Sequence, residues 1–542
     1  MTILHKIAFI LFLLLSGFIN GYTQEVLAPV NPADTTTRID IIGARSLRQI
    51  TLANDEVLQT LAGNARVRQG NTFLSGDSIV LNLRTGIAEV FGNVHINDAD
   101  TVNTYSQYLR YIGNERKAYL KKNVRLTDGR GTLETQELEY NLQTGMATYT
   151  KGGRVVNGTT ILTSEDAVYY SDTKDVYFKR NVHLTDPKYN ITADSLLYNT
   201  AFKTANFIAP THIISETGII DTRSGTYNLE TGEAIFYDQT AFKDSTRSAT
   251  GRTVAIDEKT GNINIEGNGK LVDSANNVIV LGDEIFIDRK KNSFLATRKP
   301  VMIFYQDNDS TYVSADTLFS GLRLNDTTFK HTPLQNDSIA LDSIVAGPAT
   351  NSADSIRYLL GFHNVRIFND SLQAVSDSLY YSTEDSVFRL LTNPVFWNGK
   401  TQVSGDTMHL YTKNRKPERL HVFNNSLVIN YPDTGIYNQM QGRVLNAYFK
   451  EGEIDFIRMR GFPAESIYYP QDDDSAYVGM NRSSGEIIDI YFTNKELNKV
   501  KFVKEVNGVL YPMNQIPADK KYLVGFNWLD ERRPKNKLEL FE

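Results

Sequence analysis

Cysteine is absent from the chain. That excludes disulfides, thiolate metal sites, a cysteine nucleophile and a lipidated N-terminal cysteine, though not an oxidising compartment, since a large core needs no covalent staples. Tryptophan is scarce, with two residues against 29 tyrosines and 27 phenylalanines in 542. No basic excess exists either: the net charge is −6, which offers no field for nucleic acid or for an anionic membrane. Long apolar runs are confined to the N-terminus. There Lys6 precedes Ile7 to Leu15, and small or polar residues follow from Ser16 to Gln24. This pattern predicts a secretory signal over 1–24, because a membrane span needs about 20 apolar residues and this run is shorter.

Signatures of chemistry are missing as well. There is no Gly-x-Ser-x-Gly, no His-Glu-x-x-His and no phosphate loop. The expectation is a protein with no catalytic residues, no cofactor, no metal and no nucleic-acid partner.

What is present is a repeat. Gly92-Asn93-Val94-His95-Ile96 recurs as Lys122-Asn123-Val124-Arg125-Leu126 and as Arg180-Asn181-Val182-His183-Leu184. With that Asn as marker, equivalent positions are Asn64, Asn93, Asn123, Gly152, Asn181, Pro210, Gln239, Asn268 and Lys299, each 29 to 31 residues after the last. The register resumes at Asn364, Asn393 and Asn425. Apolar residues alternate before the marker, after it, and again after a recurring Ser-x-Asp. Alternation of period two puts one residue set on an apolar face and the other in water. Turn signals such as Arg84-Thr85-Gly86 and Lys259-Thr260-Gly261 separate the runs. Each repeat therefore reads as three short strands.

One such unit cannot bury its apolar face, but stacked neighbours can. The predicted fold is all-β: an elongated, repetitive β-jelly roll or β-solenoid of about twelve repeats of ~29–30 residues. Its expected organisation is signal 1–24, linker 25–49, repeat region 50–322, polar loop insertion 323–357, repeat region 358–470, and an atypical final repeat with a cap over 471–542.

Polar candidates are weak. The recurring Asp77, Asp166, Asp194, Asp283, Asp316, Asp377 and Asp406 could ladder calcium, but calcium repeats need several oxygens per ion and a Gly-Gly-x-Gly-x-Asp run. Each reads instead as a turn residue bonding its local backbone. Asp307-Asn308-Asp309 and Asp472-Asp473-Asp474 read as acidic turns. His95, His183 and His212 read as a polar surface ladder. The remaining candidate is the apolar interior, lined by Ile79, Leu81, Val90, Val94, Ile96, Leu109, Leu120, Val124, Leu126, Val168, Tyr170, Phe178, Val182, Leu184, Leu196, Tyr198, Phe207, Ile285 and Ile287. These residues serve a packed core or an acyl-chain groove equally well.

The phrases Leu61-Ala62-Gly63-Asn64-Ala65, Ser75-Gly76-Asp77-Ser78 and Val90-Phe91-Gly92-Asn93-Val94, with their spacing and the export signal, resemble the OstA-like family (organic solvent tolerance protein A), which includes LptA and the N-terminal domain of LptD. The resemblance covers about Ile50 to Tyr469. It implies a kinked antiparallel jelly roll, a β-taco, that cradles lipid A acyl chains, and a periplasmic place between inner and outer membranes. The implied partners are lipopolysaccharide and other lipopolysaccharide transport proteins that stack by their strand edges. The family carries no catalytic set to transfer. This chain departs from it in length, since a short member has about half as many repeats. Two further readings remain: a non-enzymatic extracellular scaffold or adhesin with a dry core, and a carbohydrate-active β-solenoid whose acids come from distant turns.

Overall fold

The computed structural model describes residues 38–52, 56–305, 310–324, 355–413, 416–493 and 496–542. The expected signal, the run Asp307-Asn308-Asp309 and most of the polar insertion lie outside the described residues. The chain divides into two compact units, Met1–Tyr119 and Leu120–Glu542. Strands dominate both; the few helical turns, all short and 3-10, follow Pro512.

The building block is a long strand with a crease. Asp175–Thr185 pairs antiparallel with Tyr189–Asn199, from Asp175↔Asn199 to Thr185↔Asn190, and the register slips between Lys179 and Val182. Arg180 and Asn181, with φ of 60° and 51°, stand there against Asp194 alone. Two residues facing one make a bulge, which bends the strand and adds twist. The halves on either side become two walls. Val176, Phe178, Leu196 and Tyr198 face inward from the first; Val182, Leu184 and Ile191 face inward from the second. The same slip recurs between Ala62 and Ala65, Phe91 and Val94, Glu266 and Gly269, Phe362 and Val365, and Phe423 and Ser426.

The marker Asn is thereby explained. Left-handed backbone is costly for most residues but tolerated by Asn and Gly. Asn64, Asn93, Asn123, Asn181, Asn268, Asn364, Asn393 and Asn425 all have φ between 47° and 54° except Asn93, at 45°. Three expected strands per repeat thus become two creased strands: the runs before and after the marker are one strand, and the Ser-x-Asp run lies in the middle of the other.

Hairpins at the wall tips are closed by Asn or Asp. Asn228 Oδ1 accepts from the backbone N–H groups of Glu230 and Thr231, both at 2.9 Å, and Asp257 repeats this with Lys259 and Thr260. These are Asx turns, in which the side chain supplies the bond the backbone lacks.

Three boundaries move. The expected linker is already strand at Asp40–Gly43 and Ser46–Thr51, both paired with Val57–Gln69. The ends of the expected insertion are ladder too, with Arg323 opposite Ile356. The C-terminal tail, expected as a cap beyond the last repeat, instead runs back along the outer side of the second wall. Gln439 donates to the Lys521 carbonyl at 3.0 Å and accepts from the Leu523 N–H at 2.8 Å. Gln402 does the same with Asn527 and Leu529, at 2.8 and 2.7 Å. Gln373 accepts from the Arg533 guanidinium, and Arg366 donates to the Glu539 carbonyl at 2.7 Å. The wall beneath is buried on both faces, so Val395, Phe396 and Trp397 are consecutive core residues and alternation fails there.

Candidate acyl-chain interior

Within each unit the walls face each other across side chains. Of the expected lining residues, Ile79, Leu81, Val90, Val94, Ile96 and Leu109 in the first unit point inward and are at most 1 % exposed. In the second unit Leu120, Val124, Leu126, Phe178, Val182, Leu184, Leu196, Tyr198, Phe207, Ile285 and Ile287 are likewise buried. Each such aliphatic or aromatic side chain contributes about 1.5–3 kcal/mol on burial.

Val168 and Tyr170 are corrections: both face outward, and Ala167 and Tyr169 take the inward places. The cause is a slip of one residue at the crease. Ser75-Gly76-Asp77 puts Asp77 at the crease, whereas in Ser164-Glu165-Asp166 it is Glu165 that receives the marker amide of Asn181. Since side chains alternate, a slip of one exchanges the faces.

The mouth, where the wall tips meet, has a polar seam that the sequence reading missed. Tyr111, Tyr140, Tyr169, Tyr198 and Tyr227 recur every 29 residues at the last inward place of the first wall, all at most 5 % exposed. The strict spacing was the available signal. In the first unit the Tyr111 hydroxyl donates to Gln69 on the opposite wall. In the second, Tyr169 donates to Asp128 at 2.8 Å, and Asn157 reaches the Tyr198 oxygen at 3.5 Å. Glu258 accepts from Tyr227 at 2.7 Å and from Tyr189 of the second wall at 2.6 Å. Burial pushes the Tyr111 and Tyr198 hydroxyls up to about 12, and raises Tyr169 and Tyr227 further. All stay protonated; Tyr111, Tyr169 and Tyr227 can therefore donate to an amide or carboxylate oxygen, while the Tyr198 oxygen accepts from Asn157.

Between the walls, two small cavities lie in the second unit. One of about 30 Å³ is lined by Leu271, Val280, Ile287 and Met302, and one of about 20 Å³ by Leu126, Leu133, Val155 and Val176. Each is about one water's share of volume, too small for an acyl chain. A wider concavity of about 650 Å³ lies outside, at the creases, and brings His183 and His212 to one surface with Asp194 and Asp221. His212 there pairs with Asp221 at 2.7 Å.

Residues 36–194 match the family model described as OstA-like protein. Residues 162–293 match the one described as LptA/(LptD N-terminal domain) LPS transport protein. No curated protein matches. Among solved structures, LptH from Pseudomonas aeruginosa, described as the LptA homologous periplasmic component of the conserved lipopolysaccharide transport device, is 16 % identical; the match covers 28 % of this chain and 98 % of that one, with a TM-score of 0.15. Across residues 36–293 the chain is thus similar to the OstA-like proteins and to the LptA/LptD N-terminal proteins.

Proposed function

We propose that this chain is a periplasmic lipopolysaccharide transport protein that holds lipid A acyl chains between its two walls and bridges towards the inner and outer membranes. The observation that carries the reading is the interior itself: stacked apolar positions on both walls, with polar cross-wall bonds at its two margins, the mouth and the crease, where Tyr149 and Ser164 meet at 2.8 Å. The two family matches favour lipopolysaccharide as the cargo.

The energetics suit entry from the side. Burying a chain of a dozen methylenes contributes about 10 kcal/mol at ~0.8 kcal/mol per methylene. A latch such as Tyr227 to Glu258 contributes about 1–3 kcal/mol net. Parting the walls layer by layer therefore costs less than the lipid returns, and the inward side chains exchange one another for methylenes. Catalysis has no part in this role.

Partners of the same kind would join at strand edges. Ser46–Thr51 and Asn507–Pro512 are mostly exposed, and among the described residues each pairs on one side only. An unpaired edge is a template for another strand. The rival reading, a scaffold with a permanently dry core, draws on the smallness of the interior cavities.

The test places a photo-reactive phenylalanine analogue at inward Phe207 and, separately, at outward Tyr177 of the full chain. Irradiation with lipopolysaccharide is expected to label the Phe207 site and not the Tyr177 site. Equal or absent labelling, together with lipid-free protein by mass spectrometry, would establish the dry scaffold instead.

A further inference from the structure

The outer side of the second wall is bare in one stretch of the second unit and covered in the next. One cross-strand row follows its middle. In the earlier layers it reads Asn190, Ile214, Ile219, Lys243, Ser248, Val272 and Ile279, none of them buried, with Ile214 45 % and Ile219 37 % exposed. It continues through Ile303 and Tyr312 to Phe368, Gln373, Trp397, Gln402, Ile429, Gln439 and Ile467. From Phe368 to Ile467 every residue of the row is buried.

The cover is the tail, which crosses these strands and is held at successive layers. The Gln439 and Gln402 amides each bracket one tail residue, Tyr522 and Trp528, by bonding the carbonyl before it and the N–H after it. Gln373 accepts from Arg533 at 2.8 Å, and the Lys537 ammonium lies 5.7 Å over Tyr312. Leu523 packs with Ile467, Tyr469 and Met480, and Leu529 against Val375, Val395 and Trp397.

The mouth changes at the same place. In the earlier layers hydroxyls latch it to carboxylates, Tyr169 to Asp128 and Tyr227 to Glu258. In the covered layers rings meet across it: Phe304 with Tyr381 and Phe388, both at 6.4 Å, and Phe396 with Phe449 at 6.1 Å, all edge to face. Water can replace a polar latch as it parts, whereas parted rings expose carbon on both sides.

We infer that residues 513–542 form a strap that keeps the covered layers shut, so that acyl chains enter the earlier layers alone until the tail lifts. The inference rests on the acyl-chain reading above. An unstrapped layer can swing out by itself at its crease. In the covered section Gln373, Gln402 and Gln439 are tied to one continuous segment, so a layer moves only with its neighbours or by releasing the tail. Release uncovers Trp397, Ile429, Ile467 and Met480, and the burial of these side chains opposes it. The two costs add, and the covered section is the last to part.

The full chain would carry a photo-reactive phenylalanine analogue at Phe207 or at Phe396, which lies inward beneath the tail, and be irradiated with lipopolysaccharide. The parent is expected to label at Phe207 and about tenfold less, or not at all, at Phe396. The variant L523D/L529D sets carboxylates against the apolar wall and lifts the tail, which a red-shifted tryptophan emission reports. Labelling at Phe396 should then rise about tenfold with Phe207 unchanged. V524D, at a tail residue 80 % exposed, should keep the parent pattern. If L523D/L529D folds too poorly to label Phe207, the milder L523A/L529A takes its place with the same readouts. Equal labelling of both sites in the parent, or a Phe396 that stays unlabelled once the tail has lifted, would overturn the strap and leave the acyl-chain reading standing. No label at Phe207 in the parent would remove that reading, and the strap with it.

Discussion

The Asn93 side-chain amide sits 3.1 Å from both carboxylate oxygens of Asp77, fastening the creased strand to the middle of its neighbour. The pair recurs as Asn364 with Asp316 at 2.9 Å and Asn425 with Asp406 at 3.0 Å. At Asp77, Asp316 and Asp406 the repeated Asp is therefore the crease partner of the repeated Asn, and not a turn residue serving its own backbone.

Breaking that pair should destabilise the fold without reversing it. Asp406→Ala is expected to cost about 1–2 kcal/mol, as a charge-assisted hydrogen bond is lost at a site partly open to water. Asn425→Val should cost more, because a β-branched residue resists a φ of 47°. Urea denaturation followed by circular dichroism measures both, and a Val variant as stable as the parent would remove the backbone argument.

The slip of one residue at Glu165 makes a contrast between two aspartates. Leu196→Asp places a carboxylate in the buried interior and is expected to cost more than about 4 kcal/mol, enough to prevent folding. Val168→Asp, on the outer face, should stay within about 1 kcal/mol of the parent. Soluble yield and melting temperature distinguish them.

Removal of the Glu258 latch is read in the mouth. Tyr227→Phe leaves Glu258 with one of its two tyrosine donors and should destabilise by about 1–3 kcal/mol. Under the proposed function it should also speed lipid exchange, measured by transfer of fluorescent lipopolysaccharide. A slower exchange would contradict a latch.

Truncation after Pro512 removes Trp528 and leaves Trp397 as the sole tryptophan, a residue with no exposed surface in the intact chain. Its emission is expected to shift to the red and the protein to self-associate, since Val375, Val395 and Trp397 lose the cover of Leu529. An unshifted spectrum would mean the tail is not the cover.

His409 supplies a pH dependence. Burial, aided by Arg389, His421 and Arg419, holds its imidazole down at about 4. A folded value below the unfolded one means that the stability is present above about pH 6.5 and is lost as pH falls towards 4. With solvent reaching part of the ring, the loss should be about 1–2 kcal/mol. His409→Gln is expected to flatten the stability profile between those pH values, measured by denaturant melts.

Period-two alternation around an Asn every 29 to 31 residues was enough to determine an all-β repeat and the inward set such as Phe178 and Leu196, whereas the marker read as a break between strands and not as a crease within one. These are local consequences: alternation assigns faces, and Asn accepts left-handed backbone. Which residue stands across a crease was decided only in three dimensions, and so Val168 was misplaced by a slip that Ser164-Glu165-Asp166 conceals. The latch partners Tyr169 and Asp128 lie 41 residues apart, and Gln402 meets Leu529 across 127. Such pairs are set by how wall packs on wall and tail on wall, and no local period encodes them. The all-apolar runs at Val395–Trp397 and Leu427–Ile429 did carry a trace of the tail, because a wall buried on both faces no longer needs to alternate.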